Sequence, residues 1–93
     1  MELFLKDPVG SLDYSVAWGG EWLAGRSIVS SDWSVLPVEA GGIVCGAAAV
    51  ADGVAAVSLS GGIAGRVYRV SNQVTLSDGA RDARLLLVRV EAR

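Results

Sequence analysis

The stretch from Arg66 to Val90 constrains the fold more than any other part of this chain. Tyr68, Val70, Asn72, Val74 and Leu76 recur at every second position, Ser77-Asp78-Gly79-Ala80 breaks the run, and a second run follows from Ala80 to Val90. A period of two is what a strand with one covered face requires, whereas an amphipathic helix repeats its apolar residues every three to four positions. An Asp-Gly pair between two such runs marks a hairpin, because both residues accept positive φ at little cost. A tight turn centred on Asp78-Gly79 sets Val70 opposite Leu87, Asn72 opposite Leu85 and Val74 opposite Ala83. In that register Leu86 and Val88 fall on the reverse face, where Thr75 meets Asp82 and Gln73 meets Arg84. The reverse face then carries more apolar surface than a solvated sheet needs.

The rest of the chain reads in the same way. Leu12, Tyr14, Val16 and Trp18 alternate with Asp13, Ser15 and Ala17, and Gly19-Gly20 ends the run. Glu21 to Gly25 is a short link, no longer than one helical turn, before a strand from Ser27 to Val35. The odd step from Ile28 to Trp33 requires a bulge near Ser30-Ser31 if one face is to stay apolar. Between Ile43 and Val57 six alanines favour helix, but Gly46, Gly53 and the Asp52-Gly53 pair favour two strands, near 43–50 and 54–60. Asp7, preceding Pro8, is pushed toward extended backbone, so residues 1–10 read as an arm leading into a domain over 11–93. About seven short strands with Gly-rich turns predict an all-β antiparallel sandwich, and 93 residues leave room for one modest core.

Composition removes most chemistry. With no histidine and one cysteine, Cys45, the chain has no usual zinc set, no Ser-His-Asp or Cys-His nucleophile pair and no intrachain disulfide. Its formal net charge of -2 argues against general nucleic-acid binding, which needs a basic stripe to neutralise phosphates. No run of about 18 apolar residues predicts a membrane helix. The first residues lack a secretory pattern, which points to folding in a reducing cytoplasm. Gly61-Gly62-Ile63-Ala64-Gly65 lacks the Gly-Lys-Ser/Thr ending of a phosphate loop and reads as a turn. Asp7, Asp13, Asp78 and Asp82 match no EF-hand spacing and read as solvated turn charges. The expectation is a protein with no catalytic residues, no cofactor and no metal.

Three tryptophans lie close together. Trp18 and Trp33 suit the space between two sheets, while Trp22, beside Glu21 in a glycine-bounded link, suits an interface. Cys45 sits in an apolar run as a small buried hydrophobe. Tyr68 enters its strand just after Gly61, Gly62 and Gly65, which is the place of the tyrosine corner of β-sandwiches, with plain core packing as the alternative. Leu3, Phe4 and Leu5 of the arm, with Trp22 and the reverse-face Leu86 and Val88, are the candidate interface. Trp18, Trp33, Tyr68, Gly61, Gly62, Gly65, Asp78 and Gly79 are the structural set.

Several stretches in order carry a family likeness. They are Lys6-Asp7-Pro8, Leu12-Asp13-Tyr14 running to Trp18, Trp22-Leu23-Ala24-Gly25, and Ile28-Val29-Ser30-Ser31-Asp32-Trp33. Leu59 to Gly65 leading into Tyr68-Arg69-Val70-Ser71-Asn72 follows, then Ser77-Asp78-Gly79 to Asp82-Ala83-Arg84 and Leu85. Together they resemble the phage fiber-tail adaptor proteins, small virion components of tailed bacteriophages, across most of the chain. Ala40 to Ala56 departs by its excess of alanine and glycine. The resemblance implies an immunoglobulin-like sandwich in the virion tail, synthesised in the host cytoplasm. It further implies a link from tail or connector to fibres or neighbouring tail subunits, with other virion proteins and further copies of itself as partners. No catalytic residues accompany it. The alternative is a stand-alone immunoglobulin-like module binding a ligand such as carbohydrate, which an exposed flat platform of tryptophans would favour.

Overall fold

The computed structural model describes residues 2–19 and 23–92. Seven strands run along them: β1 (Glu2–Lys6), β2 (Leu12–Ala17), β3 (Ile28–Leu36), β4 (Ile43–Ala51), β5 (Val54–Gly61), β6 (Val67–Leu76) and β7 (Arg81–Val90). They make two sheets, one in the order β1-β7-β6-β3 and the other β2-β5-β4. Neighbours pair antiparallel except β1 and β7, which run parallel with Leu3 beside Leu87 and Lys6 beside Val90. The segment read as an arm thus supplies the edge strand of the four-stranded sheet.

The sheets face each other through their alternating apolar residues. Ile43, Val57, Leu59, Tyr68, Val70, Leu86, Val88 and Val90 form one cluster, and Val16, Trp18, Ala55 and Val74 another, with Tyr14 and Trp33 packed against both. The Asp52-Gly53 turn joins β4 to β5 with φ of 51° and 75°, the conformation a two-residue hairpin loop demands. Pairing with β5 overrides the helix preference of the alanines in β4, an edge strand exposed along most of its length. The bulge in β3 falls between Ile28 and Ser30, one position ahead of the expected site, and keeps Ile28 and Trp33 on the core side.

The C-terminal hairpin corrects one expectation. Its pairs are Val70 with Leu86, Asn72 with Arg84 and Val74 with Asp82, one residue out of the register expected from a two-residue turn. Three residues, Ser77, Asp78 and Gly79, span the loop: Leu76 N–H donates to Ala80 O at 2.8 Å, and Gly79 takes φ of 90°. Such a loop needs glycine at its left-handed third position. Because side chains alternate, a slip of one residue exchanges the faces of a whole strand. Leu86 and Val88, expected outside, are 1% and 0% exposed in the core, and Leu85 and Leu87 occupy the outer face. The reverse face keeps an apolar excess, but Leu85 and Leu87 supply it in place of Leu86 and Val88.

Candidate functional site

One end of the sandwich is tied by polar groups. β1 places Lys6 in the interior, where its Nζ donates to the carbonyls of Asp7, Gly10 and Gly61 at 2.8, 2.7 and 2.6 Å. Burial pulls the Lys6 pKa below its ordinary value, and the Asp7 carboxylate partly opposes this. The clip holds the turn after β1 to the end of β5, so it joins the two sheets. The glycine turn beside it has its amides engaged: Gly62 N–H donates to Gly41 O, Gly65 N–H to Val90 O, and Ile63 N–H to the Tyr68 hydroxyl. A Cβ on Gly61 would lie 2.6 Å from Gly42 O, and one on Gly62 2.6 Å from a Val90 methyl, so both positions exclude other residues. These contacts make the segment a packed turn. The Tyr68 hydroxyl in turn donates to Glu39 Oε1 at 2.7 Å, and burial, followed by this bond, raises its pKa.

A second polar contact bridges the sheets further along. Trp18 is buried, and its Nε1 donates to Oδ1 of the fully buried Asn72 at 3.0 Å, while Asn72 Nδ2 donates to Ser31 Oγ at 2.8 Å. Arg84 stacks over the Trp18 ring at 5.0 Å. Trp33 is half-buried, edge-on to Tyr14, so neither of these tryptophans contributes to a flat exposed platform. Trp22 lies outside the described residues. Cys45 is half-buried, and burial pushes its thiol pKa up.

The carboxylates stay apart. Asp7 accepts from Val9 N–H, Asp82 from Ala83 N–H, and Asp78 from Ala80 N–H and Arg26, which together hold its pKa below the usual value. Among the described residues no group of three or more histidine, cysteine, aspartate or glutamate side chains is placed to hold a metal ion. No helix there is long and apolar enough to cross a membrane.

Exposed apolar side chains are spread over loops and both sheets, Val9, Val38, Val44 and Val50 among them, and one group of them shares the outer face of the four-stranded sheet. Leu3 is 59% exposed, Leu5 49%, Leu36 58%, Val67 47% and Leu85 43%, with the half-buried Leu87 among them. Of the three arm residues singled out in the sequence, Leu3 and Leu5 point outward, while Phe4 turns in against Tyr14 with ring centres 5.0 Å apart. Two residues with clear roles escaped sequence reasoning: Lys6 and, as a hydrogen-bonding centre, Asn72. Asn72 carried a signal, a polar side chain in register with Val70 and Val74 on the covered face. Lys6 shares its parity with Phe4, but a five-residue strand is too short to make that parity visible.

A two-sheet sandwich whose Lys6, Tyr68, Trp18 and Asn72 are bonded within its own strands and turns, and whose one outer sheet carries a group of exposed leucines and a valine, has the build of a structural module. The model of the Gp77 family, described as podophage GP4 fiber-tail adaptor protein gp77, matches residues 6–89, and the chain belongs to this family. No curated protein matches it. Membership makes it a structural component of the phage virion.

Proposed function

We propose that this chain is a non-enzymatic adaptor that joins the phage tail or its connector to fibres or to neighbouring tail subunits, with several copies in each particle. The observation that carries this is the group of apolar side chains on one outer sheet face, Leu3, Leu5, Leu36, Val67, Leu85 and Leu87, with Arg69 and Arg89 set among them. A patch of that kind on a small protein marks an interaction site, and its burial contributes about 25 cal/mol per Å². Leu3 and Leu5 are contacts in this proposal, Phe4 supports them from within, and Trp22 keeps its place as a further contact. Leu85 and Leu87 take the place first given to Leu86 and Val88. The partners are proteins, since a net charge of -2 suits neither nucleic acid nor an anionic membrane.

An immunoglobulin-like reading of the fold accompanies the proposal. The strand order, the parallel pairing of first and last strands, and a tyrosine at the start of the sixth strand bonded to upstream backbone support it. Residues 1–10 act as an arm that completes the sheet of the 11–93 domain. The test is a Leu3→Ser, Leu85→Ser double variant. Both side chains are exposed, so the circular dichroism spectrum should be retained while incorporation into purified particles falls severalfold. Undiminished incorporation would remove the proposal.

A further inference from the structure

The two outer faces of the sandwich differ in a way that fits one to the other. On the four-stranded sheet, Leu3, Leu87, Arg69 and Leu36 stand side by side in one row across the strands. The adjacent row holds Leu5, Arg89 and Val67. Arg89 is paired with Glu91 at 2.7 Å, whereas Arg69 makes no ion pair among the described residues. Among the described residues, an exposed guanidinium thus stands among leucines with no carboxylate within ion-pair distance. The other sheet is the converse. Its strands β2, β4 and β5 contain no lysine or arginine, and Asp13, exposed and pointing outward, is their one charged residue. Next to it the outward positions are small, Ser15, Ala49, Ala56 and Ser58, and the larger Val44 and Val54 stand towards the two ends of the face. A shallow groove bordered by Asp13, Ala47, Ala49 and Ala56 opens where β4 bulges between Cys45 and Ala48.

Building on the adaptor reading, we propose that copies of this chain stack head to tail. The leucine-bearing outer face of the β1-β7-β6-β3 sheet in one copy sits on the small-residue outer face of the β2-β5-β4 sheet in the next, with Arg69 meeting Asp13. Charge sign, side-chain size and height along the sandwich all agree. Asp13 precedes Tyr14, whose ring packs on Phe4, and Phe4 stands between Leu3 and Leu5, so Asp13 and the Leu3 row lie at one level on opposite faces. A shift through the thickness of the sandwich brings them together. The molecule measures 43 × 22 × 21 Å, so a broad face has the footprint of a standard interface, about 800 Å² per partner. A two-fold dimer of leucine faces would crowd the arginines of both copies together, which disfavours it. A contact between unlike faces is heterologous, and it generates a ring or an open stack.

The test uses the purified full chain in sedimentation velocity over a range of concentrations. Mean mass should rise with concentration beyond a dimer. Arg69→Asp and Asp13→Arg should each weaken association by about tenfold or more, the scale of a close interfacial charge pair. Both side chains are exposed, so circular dichroism should be unchanged in either variant. The Arg69→Asp, Asp13→Arg combination restores opposite signs at every contact and should recover association. A chain that stays monomeric, association that halts at a dimer, or a double variant no better than the singles would each overturn the inference. Another virion protein seen on the leucine face would do so too. Incorporation into particles by a monomeric chain would sink this inference alone, and self-association without incorporation would sink the adaptor reading alone.

Discussion

Replacing Tyr68 with phenylalanine removes one oxygen and keeps the ring, so it isolates the bonds that close the basal end of the sandwich. The hydroxyl donates to Glu39 at 2.7 Å and accepts from Ile63 N–H at 3.1 Å. A hydrogen bond to a charged group is worth about 1.5–3 kcal/mol net, and one between neutral groups about 1 kcal/mol. Glu39 is only partly covered, so water replaces part of what the carboxylate loses, and about 2 kcal/mol remains for the pair of bonds. For a domain of this size that lowers Tm by about 8–16 °C, readable by circular dichroism with a matching shift of the urea midpoint. An alkaline titration gives a second readout. Burial raises the Tyr68 pKa in the folded protein, while the unfolded chain releases the phenolic proton near its ordinary value of about 10. Above that pH the unfolded state binds fewer protons, so the stability from this group, complete below about pH 10, is lost as pH rises through the folded value. Tyr68→Phe should therefore show a shallower alkaline loss than the parent. A melt within about 2 °C of the parent, or an unchanged alkaline slope, would refute the account.

Hairpin register is tested by a pair of truncations: Leu86→Ala should cost about 2–5 kcal/mol in urea denaturation, and the neighbouring Leu85→Ala no more than about 0.5 kcal/mol, the reverse of what a two-residue turn would give. Gly62→Ala should lower Tm well below Gly65→Ala, because both need positive φ but only the first sets a methyl against Val90, while a Cβ at Gly65 meets nothing within 4 Å. Equal melts would remove the steric argument at Gly62. Lys6→Met keeps the stem and removes the cation from three carbonyls; it should cost about 1–3 kcal/mol by urea denaturation, and a neutral result would mean that water replaces the clip without loss.

How far the sequence reached can be judged strand by strand. The alternation in β2, β6 and β7 is long enough to be seen, and Asp52-Gly53 outweighed six alanines, so strand number and fold class were legible. Register was not, because the choice between a two- and a three-residue loop at Ser77-Asp78-Gly79 rests on a single φ angle that neither residue type decides. That one ambiguity put Leu86 and Val88 where Leu85 and Leu87 belong and so misplaced two of the six candidate surface residues. The apolar arm was legible as apolar, but its parallel docking on β7 was not: two segments at opposite ends of the chain share no local turn to announce their pairing. Lys6 belongs to the same class, since its three acceptors are carbonyls, which any residue can supply.

The parallel pairing of β1 with β7 also has a mechanical consequence. Glu2 lies beside Leu86 and Lys6 beside Val90, so a tension applied between residue 2 and residue 90 pulls the two strands along their own length in opposite directions. Their hydrogen bonds then share the load as a ladder in shear and must give way together. An antiparallel pair held at adjacent ends would instead open one rung at a time, like a zip. Lys6, anchored across to Gly61 in the other sheet, adds a cross-tie at the end of that ladder. A subunit loaded along its chain would therefore resist extension at the strand pair that joins its beginning to its end.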